Sequence, residues 1–219
     1  MIKAYLFGGA FVGDIRGYYG VLSAERIRKI ERARTPEGRT RSASSELLLL
    51  YALKTRAGCG ERVPLDIVTG GEKPRLASGK IHFNISHTQG LSLCAVSDCP
   101  VGADAERIRE TVPAVRAFTD KERAEIDGLS GAEKREYFFS RWTAKESALK
   151  LAGLSIKYLA DIAPTVAGGG FRAELPAGAG TAYIRSYRRN GCYIAIASYG
   201  EEGAAEFEEV SEGELEGLK

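Results

Sequence analysis

Apolar and polar positions alternate along the chain so as to predict short strands interleaved with amphipathic helices. Residues 2–7 read as a strand. Ser23 is placed to cap a helix over about 24–33, and Thr35-Pro36-Glu37-Gly38 reads as its break. A second helix is predicted from Ser44 to about Lys54, where the run Leu47-Leu48-Leu49-Leu50-Tyr51 is too apolar for a surface element and implies burial against a sheet. Gly58 and Gly60 end that region. Short strands follow at 66–69, 81–84, 91–97 and 101–106. Thr119 or Asp120 caps a helix over about 120–128, and 131–151 reads as a long helix ended by Gly153. Gly168-Gly169-Gly170 and Pro176-Ala177-Gly178-Ala179-Gly180 are turns, the former flexible, and 181–187 with 193–198 form a hairpin. Each half therefore combines helix with mostly antiparallel strands, an α+β pattern. Asp98-Cys99-Pro100 is the candidate junction, giving an N-terminal half over 1–100 and a C-terminal half over 101–219.

Composition narrows the classes. In 219 residues, 44% are hydrophobic and 27% charged, which excludes a disordered tail protein, a collagen-like chain and a disulfide miniprotein. No apolar run approaches the ~20 residues that cross a bilayer, and the first residues read as a strand rather than a signal peptide. The four cysteines include no C-x-x-C pair, so reduced thiols in a cytoplasmic protein are expected.

The formal charge of +2 conceals a split: residues 201–219 carry eight Glu and one Lys, leaving +9 on residues 1–200. The basic stretch from Arg26 to Arg41 could attract an anion. It could equally be a solvated helix of mixed charge, since Glu25 and Lys29 form an i, i+4 pair. The Glu-rich tail reads as a frayed or weakly helical end. There is no G-x-x-x-x-G-K-[ST] loop, no strand-linked G-x-G-x-x-G and no H-E-x-x-H, and with only His82 and His87 a structural zinc site is not expected. The basic residues lack interleaved aromatics and a nucleic-acid motif, so no nucleic-acid partner is expected.

Three short segments carry the chemistry. Asp104 and Glu106 lie two apart on a predicted strand, so both carboxylates share a face, where a cation between them would relieve their repulsion; alone, such a pair also fits an exposed edge strand. On the long helix, Trp142, Glu146 and Lys150 follow at intervals of four and share a face. A carboxylate there can complete a Mg2+ site and the lysine can meet a phosphate, although an ordinary surface pair beside a buried indole has the same spacing. Asn84, Ser86 and His87 end a strand and offer hydroxyl and imidazole donors, or simply turn chemistry.

In order, these segments are Asn84-Ile85-Ser86-His87, then Val101-Gly102-Ala103-Asp104-Ala105-Glu106, then Phe138-Phe139-Ser140-Arg141-Trp142-Thr143-Ala144-Lys145-Glu146-Ser147-Ala148-Leu149-Lys150. The set resembles the 4′-phosphopantetheinyl transferase superfamily, most closely its longer, surfactin-type members. Gly71-Glu72-Lys73-Pro74 matches their G-x-K-P motif and residues 26–41 their basic segment.

The resemblance implies two similar α+β halves related by pseudo-twofold symmetry in a monomeric enzyme. It implies Mg2+-dependent transfer of phosphopantetheine from coenzyme A to a serine of an apo acyl or peptidyl carrier protein, with release of 3′,5′-ADP. Asp104, Glu106 and Glu146 match magnesium ligands. His87 and Lys150 match pyrophosphate contacts, with Ser86 nearby. Lys73 and Pro74 match the adenine-side loop, while Arg26, Lys29 and Arg41 match the grip on the 3′-phosphate, and Glu122 a further acidic position. Glu146, directly or through a metal-bound water, is the first choice to take the serine proton, and Lys150 the second if its pKa is lowered. The alternative is a coenzyme A- or nucleotide-binding regulator without transfer. Ala103 and Ala105 replace the family's usual branched residues, and Gly153-Leu154-Ser155-Ile156 keeps one glycine of its G-x-G loop.

Overall fold

The computed structural model describes residues 1–9, 11, 14–56, 65–68, 73–113, 115–201 and 204–219. Cys59, the predicted helix stops Gly58 and Gly60, the strand residue Thr69 and the motif residues Gly71 and Glu72 lie outside them. In chain order the elements begin with β1 (Lys3–Phe7), α1 (Ala24–Arg32), α2 (Pro36–Thr55), β2 (Ile67–Val68), β3 (Arg75–Leu76), β4 (His82–Thr88) and β5 (Leu91–Ser97). They continue with β6 (Val101–Arg107), α3 (Asp120–Asp127), α4 (Gly131–Ala152), β7 (Thr165–Ala167), β8 (Gly170–Glu174), β9 (Thr181–Arg189), β10 (Cys192–Ser198), β11 (Glu206–Glu209) and α5 (Glu212–Glu216). The fold is α+β.

The chain forms two compact units, one of Met1–Cys99 with Glu206–Lys219 and one of Pro100–Ala205. In the first, a four-stranded sheet of order β11-β1-β5-β4 carries α2. The leucines at 47–50 are at most 3% exposed, as their apolarity predicts. α2 starts eight residues earlier than expected. Thr35 caps it by accepting from the Gly38 amide at 3.1 Å, and Pro36 occupies the first turn, where a missing N–H costs nothing. What reads as a break is thus a helix start. β4 likewise runs on to Thr88, because every residue from His82 to Thr88 registers with β5.

The acidic C-terminal segment is ordered. β11 pairs in parallel with β1, Lys3 Nζ meets Glu208 Oε2 at 2.7 Å, and the Tyr51 hydroxyl donates to Glu208 and Glu214. A Ser211–Glu214 capping box starts α5, and Val210 and Leu215 are buried. The tail's carboxylates thus find partners 157 or more residues away in the chain, which local composition does not reveal.

The second unit is an antiparallel sheet of order β6-β10-β9-β8-β7 with α4 laid across β6, β10 and β9. The predicted 181–187/193–198 hairpin is β9–β10. β7 and β8 were not expected. Gly168 and Gly169, at φ +54° and +79°, form the tight turn that joins them, so the glycine run is a hairpin element. Ala103 and Ala105 are buried and register opposite Ile196 and Ile194 of β10.

Candidate active site

In the second unit, period-two alternation puts Gly102, Asp104 and Glu106 on one face of β6. Gly102 shows which way that face looks: a Cβ there would stand 2.0 Å from the Ser147 carbonyl oxygen and 2.5 Å from the Leu151 amide nitrogen of α4. Only glycine lets strand and helix backbones approach this closely. The close packing sets Asp104 and Glu106 against the helix that carries Trp142, Glu146 and Lys150.

Asp104 is 4% exposed. Its Oδ1 accepts from Lys150 Nζ at 2.6 Å, and its Oδ2 is buried and accepts no hydrogen bond among the described residues. Burial holds the Glu106 carboxyl above the ordinary range, and the Asp104 charge adds to this; Arg109, Lys150 and a hydrogen bond from Trp142 oppose it. Glu146 is raised by burial, then by Asp104 and Glu106, with Lys150 opposing. The three acids therefore feel one another across two elements, with Lys150 as the cation common to all three. Trp142 also stacks on Phe138, with centroids 5.7 Å apart.

No three His, Cys, Asp or Glu side chains among the described residues converge closely enough to hold a metal ion as they stand. The chemistry of the donor set nevertheless fits a hard divalent cation. All three groups are carboxylates, and a positive charge among them would relieve the repulsion that raises Glu106 and Glu146.

A second buried charge lies one residue from Glu146. Lys145, fully buried, donates to Glu122 Oε2 at 2.5 Å and to the Ala117 carbonyl at 2.9 Å. Burial lowers the Lys145 pKa, and the Glu122 bond opposes the drop. Glu122 also completes a capping box with Thr119, so the acidic position singled out in the sequence ties α3 to α4. The T-x-x-E spacing was a readable sign of the cap; nothing local pointed to Lys145 as its partner.

In the first unit, Arg26, Lys29, Pro74 and His87 line one cavity of about 260 Å3. Arg41 lines a different one, with Thr88, Gln89 and Ser92. Ser86 is buried on β4, whereas its neighbour His87 is exposed. Lys73 is partly buried, and desolvation lowers its pKa to about 8. The sequence reading missed Glu46 of α2, only 1% exposed, which lines the Arg26 cavity. Its sign was a carboxylate directly preceding a four-leucine run on a helix expected to be buried.

A model of the 4′-phosphopantetheinyl transferase superfamily matches residues 100–171, the stretch that holds the three acids and Lys150. A 4′-phosphopantetheinyl transferase of Bacillus subtilis is 30% identical over 174 residues, 76% of either chain. The 4′-phosphopantetheinyl transferase HetI of a Nostoc species is 33% identical over 151 residues, 64% of this chain and 63% of that protein. The 4′-phosphopantetheinyl transferase Sfp of Bacillus subtilis is 31% identical over 110 residues, about half of each. With the family model resting on the acid-bearing strand and helix, and one relative aligned over three quarters of both chains, this protein belongs to the 4′-phosphopantetheinyl transferase superfamily, a family of transferase enzymes.

Proposed function

We propose that the protein transfers the 4′-phosphopantetheine group of coenzyme A to a serine hydroxyl of an apo acyl or peptidyl carrier protein and releases 3′,5′-ADP. The observation that carries this reading is the trio Asp104, Glu106 and Glu146, mutually coupled and sharing Lys150. These three residues would hold Mg2+, which when bound supplies positive charge against the pyrophosphate of coenzyme A.

In the reaction, the serine Oγ forms a bond to the β-phosphorus of coenzyme A as the bond from that phosphorus to the bridging oxygen of 3′,5′-ADP breaks. Lys150 donates to the pyrophosphate and offsets charge gathering on the leaving oxygen. His87, with Ser86, is assigned to the same pyrophosphate. The serine proton passes to Glu146, a carboxylate on the same helix face as Lys150. The use of Lys150 as a hydrogen-bond donor to Asp104 favours Glu146 over Lys150 in that role. Arg26 and Lys29 are assigned to the 3′-phosphate, Lys73 and Pro74 to the adenine side. Arg41 is assigned to the 3′-phosphate with Arg26 and Lys29, although it lines a different cavity. The protein is read as a monomer acting in the cytoplasm; among the described residues no helix is long and apolar enough to cross a membrane.

The test is intact-mass spectrometry of apo carrier proteins incubated with the protein, coenzyme A and Mg2+, with and without EDTA. A Mg2+-dependent gain of one phosphopantetheine is expected. Tight coenzyme A binding with no gain on acyl or peptidyl carriers would favour a binding-only regulator.

A further inference from the structure

Glu46 has no part in the assignments above. It sits on α2 immediately before the buried leucines, where an isolated carboxylate would carry a desolvation cost of several kcal/mol. Its Oε2 accepts from Arg26 Nε at 3.2 Å and from the Ser23 hydroxyl at 2.9 Å, and its Oε1 accepts from the Ser23 amide at 2.5 Å. Ser23 is the N-cap of α1, and its hydroxyl oxygen accepts from the Arg26 amide at 3.2 Å. These contacts close a ring through the start of α1, the Arg26 guanidinium and the middle of α2.

The other cation of the same cavity is held differently. Lys29 pairs with Glu25 at 2.6 Å, but the two side chains are 55% and 41% exposed, against 19% and 1% for Arg26 and Glu46. The exposed pair is weak and can exchange partners with an arriving anion. The buried pair cannot open without stranding a charge. Engagement through Nε–H occupies one donor of the guanidinium fork; the two terminal nitrogens are the pair that binds a phosphate end-on.

We propose that Glu46 is a positioning residue: it fixes the Arg26 guanidinium so that its terminal nitrogens receive the 3′-phosphate of coenzyme A. This rests on the reading of Arg26 as a 3′-phosphate contact. A carboxylate that only diluted the positive charge of the cavity would have the opposite effect, since its removal would strengthen anion binding. The sign of the change therefore separates positioning from charge dilution.

The experiment is calorimetric titration of the full chain with adenosine 3′,5′-bisphosphate and with 5′-AMP, which lacks the 3′-phosphate. The parent protein is expected to prefer the bisphosphate, and Arg26→Ala to remove that preference. Glu46→Gln, which keeps the side-chain size and one acceptor oxygen, is expected to weaken bisphosphate binding about tenfold while moving 5′-AMP by less than about twofold. Added to Arg26→Ala, it should change the preference no further. Ser23→Ala keeps the ion pair but loses the hydroxyl bridge together with the α1 cap, and should weaken bisphosphate binding about threefold; if Glu46→Gln does not fold, Glu46→Asp, which keeps the charge but shortens its reach to Arg26, should weaken bisphosphate but not 5′-AMP binding, and unchanged or stronger bisphosphate binding would overturn the positioning role. If Arg26→Ala leaves the preference intact, the reading of Arg26 fails and the proposal with it. If Arg26→Ala removes the preference but Glu46→Gln spares it, raises bisphosphate affinity or weakens both ligands equally, the positioning role alone is overturned.

Discussion

In the first unit the buried carboxylate of Glu46 is matched by one guanidinium and two serine donors, and in the second unit Glu122 holds Lys145 through Oε2, while its Oε1 accepts no hydrogen bond among the described residues. On β6 and α4, three carboxylates share Lys150 and two of them are pushed above their ordinary range. Opposite charges that satisfy each other fix a fold, as Lys145 fixes α3 to α4 and Glu46 fixes α1 to α2. Like charges held together by surrounding packing do the reverse: they weaken the fold locally and leave a demand for a cation, the usual trade at a working site.

The largest test of that contrast is Asp104→Ala, which removes the acid that couples to both others. Transfer is expected to fall about a hundredfold or more with the circular dichroism spectrum unchanged; near-parent Mg2+-dependent transfer would remove the acids from the site. Next is Lys145→Ala, which leaves the Glu122 charge buried. Denaturant titration should show a loss of about 3–5 kcal/mol, most of it recovered when Lys145→Met is combined with Glu122→Leu.

Glu146→Gln should behave oppositely, leaving metal-free stability unchanged or raised because it relieves repulsion. Since Glu106 and Glu146 titrate above their ordinary 4.5 in the folded protein, the folded state keeps protons that the unfolded chain has released. Their contribution to stability therefore falls as pH rises from 4.5 through the raised values, and Glu146→Gln should flatten that fall. A loss above about 1 kcal/mol in Glu146→Gln would mean the trio is already compensated.

The smallest effect is expected at Lys73. With its pKa at about 8 against 10.5 unfolded, the unfolded chain binds more protons between those values, so its contribution to stability rises with pH across that window. Lys73→Met should remove the slope from pH-dependent thermal melts.

Much of this was legible in local pattern. The leucine run of α2, the Ser23 cap, the β9–β10 hairpin and the shared face of Asp104 and Glu106 all follow from periodicities of 3.6 and 2. Pro36 was misleading because its effect depends on position: inside a helix it breaks, in the first turn it starts. β7 escaped because Thr165–Ala167 is an exposed three-residue edge with no alternation to read. Charged pairings were the least legible, since residue type gives no sign of the distant partners of Glu46, Lys145 and the glutamates of β11 and α5.

The sequence by itself determined the α+β class, the family and the order of its chemical segments, because helix faces, strand faces and motif spacing are properties of neighbouring residues. Only the tertiary structure decided which charges are paired. It returned the acidic tail to β1 and closed the Ser23–Arg26–Glu46 ring. Through the missing side chain of Gly102 it brought β6 close enough to α4 for Asp104 to meet Lys150. The energy of a buried charge is set by what stands within a few ångströms of it, and that follows from packing between distant segments rather than from the residues beside it in the chain.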